Sequence, residues 1–132
     1  VELHAYHQQK ALRKFCKENN IAITAYSPLA SPGAKAHFQA KYNYSSDKFP
    51  DLLGHPIVKK IAESHNKTTS QILLRHLVQE NVIVIPKSAS PERIKLNIDI
   101  YNFELTPDEL NELDELDRAA EGRIFTFLFF KG

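Results

Sequence analysis

The sequence predicts an α/β protein built on parallel strands, and three observations carry that prediction. Residues 82–85, Val-Ile-Val-Ile, are all β-branched, which suits a strand covered on both faces, the usual state of a parallel strand. Residues 1–25 read as strand, helix, strand. A crossover that short implies two parallel strands joined right-handedly. Each of the three expected strands is followed by a helical pattern, the alternation that parallel sheets require.

Taken in order, Val1-Glu2-Leu3-His4 alternates like a short strand. Residues 8–20 then place Ala11, Leu12, Phe15 and Cys16 on one helical face. Residues 21–25 form the second expected strand, with Tyr26-Ser27-Pro28-Leu29 at its C-terminal end. Residues 30–54 shift to Ser, Pro, Gly, Tyr, Asn and Lys and show neither period. They predict a long mobile loop, placed to act as a flap over a ligand.

Pro56 opens a helix with Ile57, Val58, Ile61 and Ala62 in a stripe, ending near residue 65. Thr68 and Gln71 are spaced as a capping box, and Ile72, Leu73, Leu74, Leu77 and Val78 supply the apolar face behind it. After the strand at 82–85 a helix is expected over 91–101. Thr106 to Glu109 is a second capping box, opening a helix that carries Leu110, Leu113 and Leu116. The chain thus divides into 1–29, 30–54, 55–80, 81–101, 102–118 and a tail, 119–132.

Composition narrows the function classes. The 132 residues are 42% hydrophobic and 25% charged, ordinary for a globular domain. Seventeen basic residues oppose sixteen acidic ones, and no run of like charge suggests a nucleic-acid or membrane partner. Cys16 is the single cysteine; it fits a reducing compartment and reads as a packed thiol. The six histidines lack metal-ligand spacing, and His4 and His7 have no nearby Cys or carboxylate pair, so no metal is expected. Asp108, Glu109, Glu112, Asp114, Glu115 and Asp117 read as a solvated helix face.

No apolar run of about eighteen residues and no basic-then-apolar leader is present, so a cytoplasmic location is expected. The chain begins on Val1, in mid-strand, which leads us to expect sequence upstream. Residues 124–130 hold half of the eight phenylalanines, so the tail must be covered.

Residues 82–97 carry the chemistry. Pro86 closes the strand, Ser90 is spaced to cap a helix whose first residue is Pro91, and Glu92 faces the positive dipole end. Lys87, Ser88 and Arg93 bring two cations and a hydroxyl to that helix start, and Asn97 lies one turn beyond Arg93 on the same face. This is the equipment of a phosphate cradle.

The run Ile85-Pro86-Lys87-Ser88, then Pro91-Glu92-Arg93-Ile94 and Asn97, resembles the last barrel strand and following helix of the aldo-keto reductases. The resemblance extends from Val1 to about Arg118 and implies the C-terminal portion of a TIM (β/α)8 barrel, about three βα units plus extra helices, with the barrel incomplete. A whole barrel of this kind needs about 250 residues. It implies NADPH as cofactor: Lys87, Ser88 and Arg93 on the adenosine 2′-phosphate, Arg93 also against the adenine, and Asn97 on the base.

It further implies that Tyr26 stacks on the nicotinamide while Ser27, Leu29 and Ser31 line the pyrophosphate. Leu96 stands where many members have an adenine-binding Glu, Gly33 where some have an acidic loop latch, and Ala5 where a Pro is usual; residues 41–46 have no counterpart. The family's catalytic Tyr, Asp, Lys and His lie in the first half of the barrel, and its nicotinamide-binding Gln just upstream. None is assigned to this chain; Tyr42, Tyr44 and His37 do not replace them. The implied parent is a monomeric NADPH-dependent reductase of small-molecule aldehydes or ketones, and this chain alone is expected to be inactive. The alternative is a non-catalytic NADP-binding or structural member.

Overall fold

The structure, a computed structural model, describes residues 1–45 and 49–125. In chain order its elements are α1 (Lys10–Glu18), β1 (Thr24–Ala25), α2 (Lys35–Tyr42), α3 (Pro56–His65), α4 (Thr69–Gln79), β2 (Ile83–Val84), α5 (Pro91–Ile98) and α6 (Pro107–Asp114). Short 3-10 turns at Pro32–Ala34 and Ala119–Gly122 complete the set.

β1 and β2 pair in parallel, with Thr24 opposite Ile83 and Ala25 opposite Val84. The first segment reaches β1 only through a parallel bridge, Glu2 to Tyr26. Its bonds run from the Leu3 N–H to the Tyr26 carbonyl (3.3 Å) and from the Tyr26 N–H to the Val1 carbonyl (2.9 Å). The expected parallel order is therefore present, in shorter strands than expected. For β2 the reason is local: the Val82 N–H turns back to the Leu77 carbonyl at 3.0 Å, and Pro86 has no N–H to give.

The core lies between α3, α4 and α6. Val58, Ile61 and Ala62 of α3 and Leu113 of α6 meet Ile72 and Leu73 of α4, with Phe49, Leu52, Leu105, Ile124 and Phe125 closing the cluster. A smaller cluster of Leu3, Ala25, Leu77 and Val82 joins α4 to the sheet. Both capping boxes form: Thr68 and Gln71 at α4, Thr106 and Glu109 at α6. Every residue of α4 from Gln71 to Leu77 is buried, so its polar members need partners. The Gln71 amide donates to the Asp99 carbonyl at 2.8 Å, Arg75 to the Ile100 carbonyl at 3.2 Å, and His76 meets Asp114 at 2.9 Å.

Several expectations are corrected. The strand at 82–85 is not covered on both faces: Val82 is buried, but Ile83 is 53% and Ile85 56% exposed, and among the described residues β2 is an edge strand. Of the apolar face expected on α1, Cys16 is packed and Leu12 half-buried, while Ala11 and Phe15 are exposed, Phe15 by 57%; α1 also meets the body through polar residues, as in the Arg13–Glu80 pair at 2.9 Å.

Residues 30–54 are not a bare loop, since they contain the Pro32–Ala34 turn and α2. Only Phe38 and Ala34 of that stretch of turn and helix touch the core, which is too little to print a period on the sequence. The helix expected over 91–101 stops at Ile98. The acidic face of α6 is only in part the solvated surface expected: Asp108 and Glu115 are exposed, while three of its other carboxylates form a clasp. Glu109 pairs with His65 at 2.8 Å, Glu112 with Lys60 at 3.0 Å and Asp114 with His76 at 2.9 Å. Of the phenylalanine tail, Phe125 is buried as expected; residues 126–132 lie outside the described residues, as do 46–48.

Candidate cofactor site

Because β1 and β2 run parallel in adjacent positions, the segments that leave their C-terminal ends emerge side by side. One carries Tyr26, Ser27, Leu29 and Ser31; the other carries Lys87, Ser88 and the start of α5. This is the end of a parallel sheet at which ligands bind, since helix N-termini and loops gather there.

On the β2 side, Ser90 caps α5. Its hydroxyl accepts the Arg93 N–H at 3.4 Å, and its carbonyl accepts the Ile94 N–H at 3.0 Å. The helix start thus uses part of its own N–H supply on Ser90. An anion here is left to the side chains and the dipole. Ser88 accepts the Ser90 N–H at 3.1 Å, and its own proton reaches the Ser90 carbonyl only across 3.5 Å. Lys87 and Arg93 are exposed and form no ion pair among the described residues. Asn97 is half-buried on the same face as Arg93, and Leu96 is exposed one position before it. No residue of α5 is buried, so core packing does not explain the choice of Arg93 or Asn97.

On the β1 side, Tyr26 is half-buried, with Phe125 on one flank at 6.3 Å between ring centroids. Burial pushes its hydroxyl pKa up, and the nearby Glu2 charge adds to this against a smaller opposing effect of Arg123. Tyr26 therefore stays neutral. Leu29 packs against the main cluster. Ser27, Ala30 and Ser31 all take left-handed backbone angles, with φ of 54°, 59° and 45°. Such residues cost conformational energy and persist where the surroundings fix them, often at ligand sites. The turn is tied by the Ala30 N–H to the Ser27 carbonyl (2.9 Å) and the Ser31 hydroxyl to that of Ser27 (2.7 Å). Gly33 has open space about it.

Sequence reasoning missed these left-handed angles, although the Ser-Pro-Leu-Ala-Ser-Pro-Gly string was their signal. It also missed Glu2, a buried carboxylate beside Tyr26. A cavity of about 540 Å3 lies elsewhere, at the opposite ends of the strands, between Lys10, Arg13, Lys14, Lys17, Ile21, Ile23 and Val82. Lys10, Arg13 and Lys14 there are paired with Asp117, Glu80 and Glu18, whereas Lys87 and Arg93 form no ion pair among the described residues.

Residues 1–118 match the model of the Aldo/keto reductase family. The chain belongs to that family. It is 39% identical over 117 residues to the 9,11-endoperoxide prostaglandin H2 reductase of Trypanosoma cruzi, covering 89% of this chain and 36% of that protein. It is 36% identical over 118 residues to the rho crystallin of Rana temporaria, covering 89% of this chain and 34% of that one. The crystal structure of a Gox0644 mutant in complex with NADPH superposes with a TM-score of 0.78 at 32% identity, over 96% of this chain and 40% of the other. The chain spans about a third of the length of the curated relatives it matches. The sheet of this family member, two strands and a bridge among the described residues, is the local framework on which both halves of the candidate site stand.

Proposed function

We propose that this chain is the cofactor-binding, C-terminal portion of a (β/α)8 aldo-keto reductase that reduces small aldehydes or ketones with NADPH. The parallel pairing of β1 with β2 carries the reading, because it sets the Tyr26–Ser31 turn beside the Lys87–Asn97 cradle. The residues fit the cofactor. A phosphate monoester is close to a dianion, and Lys87 and Arg93 offer two cations that form no ion pair among the described residues, with the Ser88 hydroxyl next to Lys87 in the chain. Tyr26 offers a neutral, half-buried ring on which a flat nicotinamide can lie. Ser27 and Ser31 bring hydroxyls to the intervening pyrophosphate, and Asn97 has both donor and acceptor for the base. When bound, NADPH supplies the hydride.

No residue of this chain is assigned to proton donation, so the chain by itself is read as a binding unit without turnover. The reading is of a cytoplasmic, monomeric protein, and among the described residues no helix is long and apolar enough to cross a membrane. The similarity to a rho crystallin favours a second reading, an NADP-binding member with a structural role. It predicts the same binding without carbonyl reduction by the longer protein.

The test is a fluorescence titration of this chain with NADPH and NADH. Lys87→Met and Arg93→Met are each expected to weaken NADPH binding roughly tenfold to a hundredfold, the equivalent of a charge-assisted bond of ~1.5–3 kcal/mol. NADH binding should change little. Equal losses for the two cofactors would overturn the 2′-phosphate assignment.

A further inference from the structure

Glu2 holds a carboxylate that the cofactor reading leaves unused, and only 3% of the residue is exposed. Its Oε1 accepts the Ile124 N–H at 2.6 Å and its Oε2 the Phe125 N–H at 3.0 Å, while His4 Nε2 lies 3.2 Å from Oε1. Those two amides are more than a hundred residues away in sequence. Burial pushes the Glu2 carboxyl up, but the hydrogen bonds from His4, Ile124 and Phe125 outweigh it and hold the group below the usual glutamate range. The carboxylate is thus ionised and committed to the C-terminal segment.

The lead-in to that segment is tied down separately. The Arg118 N–H donates to the Tyr6 carbonyl at 2.9 Å, and His7 Nδ1 donates to the Ala119 carbonyl at 2.6 Å. Gly122 lies so close to the Tyr6 carbonyl that a Cβ would collide with backbone. Past this point Glu2 fixes the next two backbone amides that bear side chains in the core. The Phe125 ring then stands 5.1 Å from Phe38 of α2, 6.3 Å from Phe49 and 6.3 Å from Tyr26. A continuous set of contacts runs from the Glu2 carboxylate through Phe125 to both ends of the segment that contains the strained Ser27–Ser31 turn.

We propose that Glu2 is a positioning residue: its carboxylate seats Phe125 between Tyr26 and α2, and so holds the Ser27–Ser31 turn in the shape that receives the cofactor's pyrophosphate. The cofactor part rests on the NADPH reading above. Glu2 touches no cofactor atom in this scheme; it acts through Phe125. Its loss therefore weakens NADPH and NADH alike, because both carry the pyrophosphate, whereas loss of Lys87 or Arg93 discriminates between them.

The experiment uses the 132-residue chain and three readouts. In wild type, the Ile124 and Phe125 amide resonances should lie downfield and move together as pH falls, with one midpoint below the usual glutamate value. Among the described residues, the titratable and charged groups that face Glu2 or its neighbour Tyr26 are His4 on the same segment, Tyr26 just past β1, and Arg123, which acts on Tyr26 from the C-terminal segment. A midpoint in the carboxylate range assigns the response to Glu2 and not to these. Trypsin cleavage after Arg123 should be at least about tenfold faster in Glu2→Gln, with Glu2→Asp in between. Glu2→Gln should raise the Kd for both cofactors about equally.

Amides insensitive to pH, or an unchanged cleavage rate, would overturn the clamp. Faster cleavage with unchanged affinity for both cofactors would overturn the positioning role. A wild-type chain that binds neither cofactor would overturn the NADPH reading and the positioning role with it, while the amide titration still judges the clamp. That titration needs no variant, so a Glu2→Gln chain that fails to fold does not shield the proposal.

Discussion

The block formed by α3, α4 and α6 and the ridge formed by β2 and α5 are opposite solutions to the use of a hydrophobic residue. In the block, Ile61, Ile72, Leu73, Leu74 and Leu113 are essentially inaccessible, and the polar residues among them are hydrogen-bonded or ion-paired. On the ridge, Ile83, Ile85, Ile94, Leu96, Ile98 and Tyr101 are all exposed. Both regions nevertheless form regular structure, with Thr68 capping α4 and Ser90 capping α5. Local hydrogen bonding therefore starts a helix in either place, while the block gains far more apolar burial than the ridge. The ridge carries the proposed cofactor cradle, and core packing does not account for its residues.

The largest expected effect follows from that contrast. Leu74→Ala should destabilise the chain by ~2–5 kcal/mol, through lost burial and the cavity left behind, and Ile98→Ala by less than ~0.5 kcal/mol. Urea unfolding of both variants measures the difference; a comparable loss at Ile98 would mean that the ridge is packed in solution. A smaller effect concerns the caps. Thr68→Ala and Ser90→Ala should each cost ~0.5–2 kcal/mol, alike in the two regions because a cap acts within one turn. Loss of helicity confined to Ser90→Ala would show α5 to depend on its cap alone.

The smallest effect concerns acid. The His76 hydrogen bond is the main reason that the Asp114 carboxyl is held below its ordinary value of 3.8. A carboxyl lowered on folding adds stability that is fully present above its unfolded value and is lost as pH falls through the folded one. The part-exposed pair is worth at most ~1 kcal/mol. Asp114→Asn should remove that increment at pH 7 and leave stability near pH 2 unchanged. A stability difference that persists at pH 2 would assign Asp114 a purely steric role.

The candidate site was legible in the sequence to an uneven degree. The α5 cradle was readable because each of its parts acts on a near neighbour: the Pro86 stop, the Ser90 cap, and Arg93 and Asn97 on one helical face. The turn after β1 was readable in composition only. Nothing in the spacing of Ser27, Ala30 and Ser31 announces that non-glycine residues take left-handed angles there. Glu2 was legible least. A glutamate in a short alternating strand gives no sign that its partners are the amides of Ile124 and Phe125.

The same division holds for the fold. The sequence by itself determined the starts of α3, α4, α5 and α6, both capping boxes and the stripes on α3 and α4, because these depend on bonds and contacts spanning a few residues. Tertiary structure alone decided that Phe15 and Ile83 face solvent, that α6 turns its acidic face onto His65, Lys60 and His76, and that Glu2 is buried. Each of those outcomes depends on which distant segment arrives beside the residue, and burial or pairing is a property of that meeting, which no local pattern encodes.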